Sequence, residues 1–176
     1  YPQVVEAFGG RSVAALVDSA PVLPESTIKT SCFERKLTTT LGLQLPDHCP
    51  ECADPSKGGF INLYSYLSHA YPHGRYAFTS ADADLAGVVL YDKESRSCGG
   101  SSVNIFNYRL SLYNLRDKHI GHDWATFLPG GLQHTMTQSD ALFLERKFIG
   151  TSAAEWLSRI NDKTPSHIPA ARLRPQ

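Results

Sequence analysis

The chain has 176 residues, 41% of them hydrophobic and 19% charged, and its seventeen basic and seventeen acidic side chains cancel. That balance describes a globular protein with a full core and excludes a disordered chain. Zero net charge argues against a dedicated nucleic-acid binder, and no apolar run approaches the ~20 residues that span a bilayer.

In chain order, residues 4–18 predict a helix interrupted at Gly9-Gly10, with Val13, Leu16 and Val17 at helical spacing and Pro21 and Pro24 closing it. Residues 27–41 are rich in threonine and β-branched side chains and predict a strand. Residues 45–59, with Pro46, Pro50, Pro55 and Gly58-Gly59, predict a loop. Phe60, Leu63, Tyr64, Leu67 and Tyr71 follow the helical period, and Pro72 and Gly74 end that helix. Residues 86–91 predict a short apolar strand and 92–102 a turn or loop. In 103–113, Phe106, Tyr108, Leu110 and Leu112 alternate with Asn107, Arg109 and Ser111, the pattern of a half-buried strand. Two more strands are expected at 124–128 and 132–137, around Pro129-Gly130-Gly131, and 140–148 fits helix or strand. Ser152-x-x-Glu155 is a capping box opening a last helix with Ala153, Trp156, Leu157 and Ile160 as its apolar stripe.

Helices at both ends with strands between them predict an α+β fold. The expectation is one compact, disulfide-stabilised domain over residues 1–163, a mostly antiparallel sheet with flanking helices, followed by a mobile Pro/Arg-containing tail at 164–176. Strands and helices do not alternate regularly, which counts against a doubly wound parallel sheet.

Four cysteines, Cys32, Cys49, Cys52 and Cys98, carry the information on compartment. An even count and a chain that begins at Tyr1, not at a start residue, favour two disulfides in a processed, secreted protein. A bridge between Cys49 and Cys52 closes little chain entropy, so Cys32 and Cys98 are each expected to pair with one of them. Two alternatives stay open: free thiols, or a zinc knuckle in which Cys49 and Cys52 join His69 and His73. Pro72 between the two histidines opposes the zinc geometry. No metal and no other cofactor is expected.

Seven histidines supply the candidate chemistry, since imidazole both gives and takes protons near neutral pH. His119, His122 and Asp123 form the densest cluster, with Gly121 allowing a turn and His134 beyond the Pro129-Gly130-Gly131 turn. His122 is expected as the central group, helped by Asp123 and His134. As surface residues these histidines would only cap backbone groups. Asp82 and Asp84 straddle Ala83 and fit a solvated turn better than a calcium loop.

Tyr71-Pro72-His73 is similar to the Tyr-Pro-His tripeptide of the small microbial guanyl-specific ribonucleases. The resemblance implies acid–base catalysis by His73. The catalytic glutamate strand that follows in that family has no counterpart here. His134-Thr135-Met136-Thr137 has the His-x-Thr-x form of the two-histidine phosphoesterases, which carry it twice; this chain has it once.

With no complete catalytic signature, the expected function is a secreted interaction domain, effector- or toxin-like, binding a protein or glycan partner through its tyrosines. The alternative is a small secreted hydrolase using histidine acid–base chemistry, a phosphodiesterase or ribonuclease, and nucleic acid is a partner only under that reading.

Overall fold

A computed structural model describes residues 13–26, 28–120 and 123–161, together with Val5 and Ala7. Strand β1 (Ala14–Asp18), β2 (Arg75–Thr79) and β3 (Trp124–Phe127) form a sheet in that order, and both pairings are parallel. Parallel neighbours require long crossovers, and here residues 19–74 and 80–123 make them. The chain groups into two compact units, one formed by 1–21, 71–84 and 122–176, the other by 22–70 and 85–121.

The first unit is built on the sheet. Every residue of β3 is buried, and so are Tyr76 to Thr79 of β2, as expected for parallel strands covered on both faces. The register sets Ala77 beside Ala125 and Thr79 beside Phe127. The small Ala77 and Ala125 leave room on one face for Met136, Trp156 and Ile160, with Phe127 stacked on Trp156 at 5.3 Å. On the other face Tyr76 stacks on Trp124 at 4.9 Å. A two-stranded hairpin, β4 (Lys147–Phe148) and β5 (Thr151–Ser152), turns through Ile149 and Gly150, both at positive φ. Helix α5 (Ala153–Ser158) follows.

The second unit is helical: α1 (Ser31–Leu41), α2 (Asn62–Ala70), α3 (Leu85–Ser97) and α4 (Ile105–Asn114), with three short 3-10 turns between Pro50 and Ile61 and a π turn at Leu115–Ile120. Tyr64, Tyr91, Tyr108, Leu112 and Leu115 are among its buried side chains. The Cys32–Cys98 disulfide and the Lys36–Glu94 ion pair join α1 to the end of α3.

A mostly antiparallel sheet is therefore incorrect. The principal sheet is parallel, helix outweighs strand, and the only antiparallel pairing among the described residues is the two-residue β4–β5 ladder. Several elements differ for a common reason. Residues 105–113 of the expected strand lie in α4: Tyr108, Ser111, Leu112 and Leu115 are buried at i, i+3, i+4 and i+7, while Phe106 and Leu110 are exposed. The alternation came from counting those two as core. Residues 86–91 lie within α3, whose buried Gly87, Val88, Tyr91 and Ser95 share a helical face. Residues 31–41 are helical despite three threonines, and Thr38 and Thr39 turn their hydroxyls back onto the Arg35 carbonyl. The expected helix over 4–18 ends in strand β1 at 14–18; most of its remainder lies outside the described residues. Residues 132–137 form a loop, and β2 had no counterpart in the expected elements. The tail at 164–176 also lies outside the described residues.

The cysteines are oxidised, but the pairing is Cys32–Cys98 and Cys49–Cys52, with Cα separations of 5.6 and 5.3 Å. The 3-10 turn at Pro50–Ala53 brings Cys52 back onto Cys49, with the Cys52 N–H donating to the Cys49 carbonyl. Bonded to each other, these sulfurs cannot be the thiolate ligands of a zinc knuckle.

Candidate functional site

In a parallel sheet all strands end at one edge, and the loops leaving that edge converge. Here those loops are 19–21 after β1, 80–84 after β2 and 128–137 after β3. The hydrogen bonding runs past the strand ends: Ser19 N–H donates to the Thr79 carbonyl at 2.8 Å, and Ser80 N–H and Thr79 Oγ1 both donate to the Phe127 carbonyl. The second and third loops are then cross-linked. Asp82 N–H donates to the Pro129 carbonyl at 2.9 Å, Ala83 N–H to the Gly131 carbonyl at 3.1 Å, and Gly131 N–H to Asp82 Oδ1 at 3.2 Å.

This scaffold places Asp84 against His134. Asp84 Oδ2 lies 2.8 Å from His134 Nδ1, fifty residues apart in sequence. The Asp84 side chain is completely buried and that of His134 is 49% exposed. A carboxylate can only accept, so the bond assigns the proton to Nδ1 of neutral His134 and leaves the Nε2 lone pair for another group. A buried acid that orients a half-exposed imidazole is the arrangement of a general base held in one tautomer.

Of the other expected site residues, Asp123 and His73 are not brought to this edge. Asp123 is exposed and immediately precedes β3, so the length of that strand separates it from the loop of His134. His73 is exposed in the turn before β2, while Asp84 follows it; five strand residues, about 16 Å, lie between the two ends. His122 lies outside the described residues. His119 belongs to the helical unit, in the π turn, where burial and then Lys118 lower its basicity. His69 also belongs there, with Nδ1 2.7 Å from the Ser65 carbonyl. No group of three or more His, Cys, Asp or Glu among the described residues is placed to hold a metal ion.

The sequence reading missed Asp84 as a partner of His134. The signal was the Asp-x-Asp after Tyr-Ala-Phe-Thr, a short buried strand followed by acids that a solvated turn does not bury: Asp82 and Asp84 are 2% and 0% exposed.

A second feature lies in the helical unit. A small cleft is lined by Glu34, Arg35, Cys52 and Phe60 among others. Glu34 is buried there, and its burial pushes the carboxyl up to about 7, against the pull of the Phe60 N–H that it accepts.

No helix among the described residues is long and apolar enough to cross a membrane. No protein-family model, curated protein or solved structure matches the chain.

Proposed function

We propose that the protein is a hydrolase in which His134 is the general base and Asp84 the acid that orients it, acting on an ester. The 2.8 Å contact between a buried carboxylate and a half-exposed imidazole, at the carboxyl ends of adjacent parallel strands, carries this reading. Nε2 would take a proton from a hydroxyl or water and return it to the leaving group, which is the double duty a neutral imidazole suits. The acid precedes the histidine in the chain, as in the α/β-hydrolases, a likeness of arrangement only. That likeness favours acyl esters over the phosphodiesters of the ribonuclease alternative. The two disulfides support an oxidising, extracellular setting.

The test is hydrolysis of p-nitrophenyl acetate and butyrate, with bis(p-nitrophenyl) phosphate and RNA alongside. His134→Ala and Asp84→Asn are expected to lower kcat/KM on the acyl esters at least about 100-fold with the far-UV spectrum unchanged. Activity confined to RNA and lost in His73→Ala would favour the ribonuclease reading. Wild-type protein inert on all four substrates would leave the secreted domain that binds a protein or glycan partner.

A further inference from the structure

The loop carrying His134 is also tied down by the end of β1. Three successive N–H groups after His134 are accepted by two side chains. Thr135 N–H donates to Ser19 Oγ at 3.0 Å, Met136 N–H to Asp18 Oδ1 at 2.9 Å, and Thr137 N–H to Asp18 Oδ2 at 2.8 Å. Thr137 Oγ1 adds a fourth bond to Asp18 Oδ2 at 2.6 Å, and Ser19 Oγ donates to Asp18 Oδ1 at 3.1 Å. The two residues in contact at the centre, Ser19 and Thr135, both have φ of 57°, a conformation non-glycine residues adopt at a cost. Each is held there: Ser19 by its N–H bond to Thr79, Thr135 by Ser19 itself. Met136, next in the chain, is fully buried in the core against the sheet.

We propose that Asp18 and Ser19 are positioning residues for His134. They hold the backbone of residues 135–137, with Thr135 at positive φ, in the path that delivers the imidazole to Asp84; Asp18 lies 118 and 119 residues from Met136 and Thr137, and strand order brings them together. A loop satisfied by its own turn would need no carboxylate from another strand. The Asp18 carboxylate accepts N–H groups two and three residues beyond the histidine, so Asp18 fixes the backbone that follows His134 while Asp84 holds the ring. The proposal rests on the reading of His134 as general base only for its effect on rate.

The experiment is nitrogen NMR of histidine-labelled protein, with Asp18→Ala, Asp18→Asn and Thr137→Val beside wild type. Wild-type His134 is expected as one neutral tautomer protonated at Nδ1. In folded Asp18→Ala its ring shifts move toward the average of two tautomers, with a smaller move in Thr137→Val. On an ester substrate kcat falls about ten-fold or more while KM stays within about two-fold. Thr137 is exposed and its variant retains the fold, so the readout survives if Asp18→Ala does not fold. Asp18→Asn keeps one acceptor oxygen and moves less than Asp18→Ala; unchanged His134 shifts in folded Asp18→Ala, or in Thr137→Val where Asp18→Ala does not fold, overturn the positioning role, even in an active enzyme. Shifts that move in a protein without esterase activity uphold it and count against the hydrolase reading alone.

Discussion

The Glu34 carboxylate lies directly over Gly59, so close that a Cβ on Gly59 would overlap Glu34 Oε2, and it accepts the Phe60 N–H at 3.3 Å. Gly59 at φ 66° lets the chain wrap around a buried acid.

This makes stability pH-dependent. Burial raises the Glu34 pKa from 4.5 to about 7. Below 4.5 both folded and unfolded states hold the proton and the contribution is complete. Between 4.5 and 7 the unfolded chain ionises first, so stability falls as pH rises and the loss is complete above 7. Its size is on the order of 3 kcal/mol. Urea denaturation at pH 5 and pH 8 should show that difference in wild type and a markedly smaller one in Glu34→Gln.

Gly87 in α3 faces Tyr108 of α4, and a Cβ there would sit 2.6 Å from the Tyr108 hydroxyl oxygen. Alanine ordinarily gains about 1 kcal/mol over glycine inside a helix. Here overpacking against a fully buried ring reverses the sign, with a net loss of about 1–2 kcal/mol expected for Gly87→Ala. Denaturation of Gly87→Ala in a Tyr108→Phe background, which removes the clashing oxygen, should recover part of the loss. Equal losses in both backgrounds would reject the contact.

Ser152 and Glu155 exchange bonds across the first turn of α5: Glu155 N–H donates to Ser152 Oγ at 3.1 Å, and Ser152 N–H to Glu155 Oε2 at 3.0 Å. Ser152→Ala is expected to cost about 1 kcal/mol. The Ser152 N–H, then Lys147, hold the Glu155 carboxyl below its usual range, so its contribution is present above the ordinary glutamate pKa and fades on acidification. Thermal melts at pH 7 and pH 3 should show the deficit of Glu155→Gln shrinking at the lower pH, while that of Ser152→Ala, which keeps the backbone N–H and loses only Oγ, stays the same.

The two disulfides should differ in weight. Cys32–Cys98 spans 66 residues and Cys49–Cys52 spans 3. Chain entropy assigns about 4 kcal/mol to the first and about 2 kcal/mol to the second. Paired serine variants measured by denaturant titration should follow that order. Full reduction of the wild type should add about four mass units, one hydrogen for each of the four half-cystines.

Of the candidate site, His134 was legible as a histidine beyond a Pro-Gly-Gly turn, but its partner was not. Adjacent acids are easy to see in a sequence, which is why Asp123 stood next to His122. A strand separates Asp123 from the loop of His134, whereas Asp84 reaches that loop because β2 and β3 end at the same edge. The fold class failed for a related reason. Leu110 and Phe106 alternate with polar residues, but which apolar side chains are buried is decided by packing, and both lie in solvent.

By itself the sequence determined what is settled within a turn or two of chain. The capping box at Ser152 and Glu155, the helix over Asn62–Ala70 and the strand at Trp124 to Phe127 depend on local backbone groups and short-range periodicity. The even cysteine count also predicted oxidation. Tertiary structure alone decided the parallel register, the choice of Cys98 for Cys32, and the meeting of Asp84 with His134. Those pairings join residues 48 or more positions apart. Their geometry comes from strand order and core packing, for which no window of neighbouring residues carries a signal.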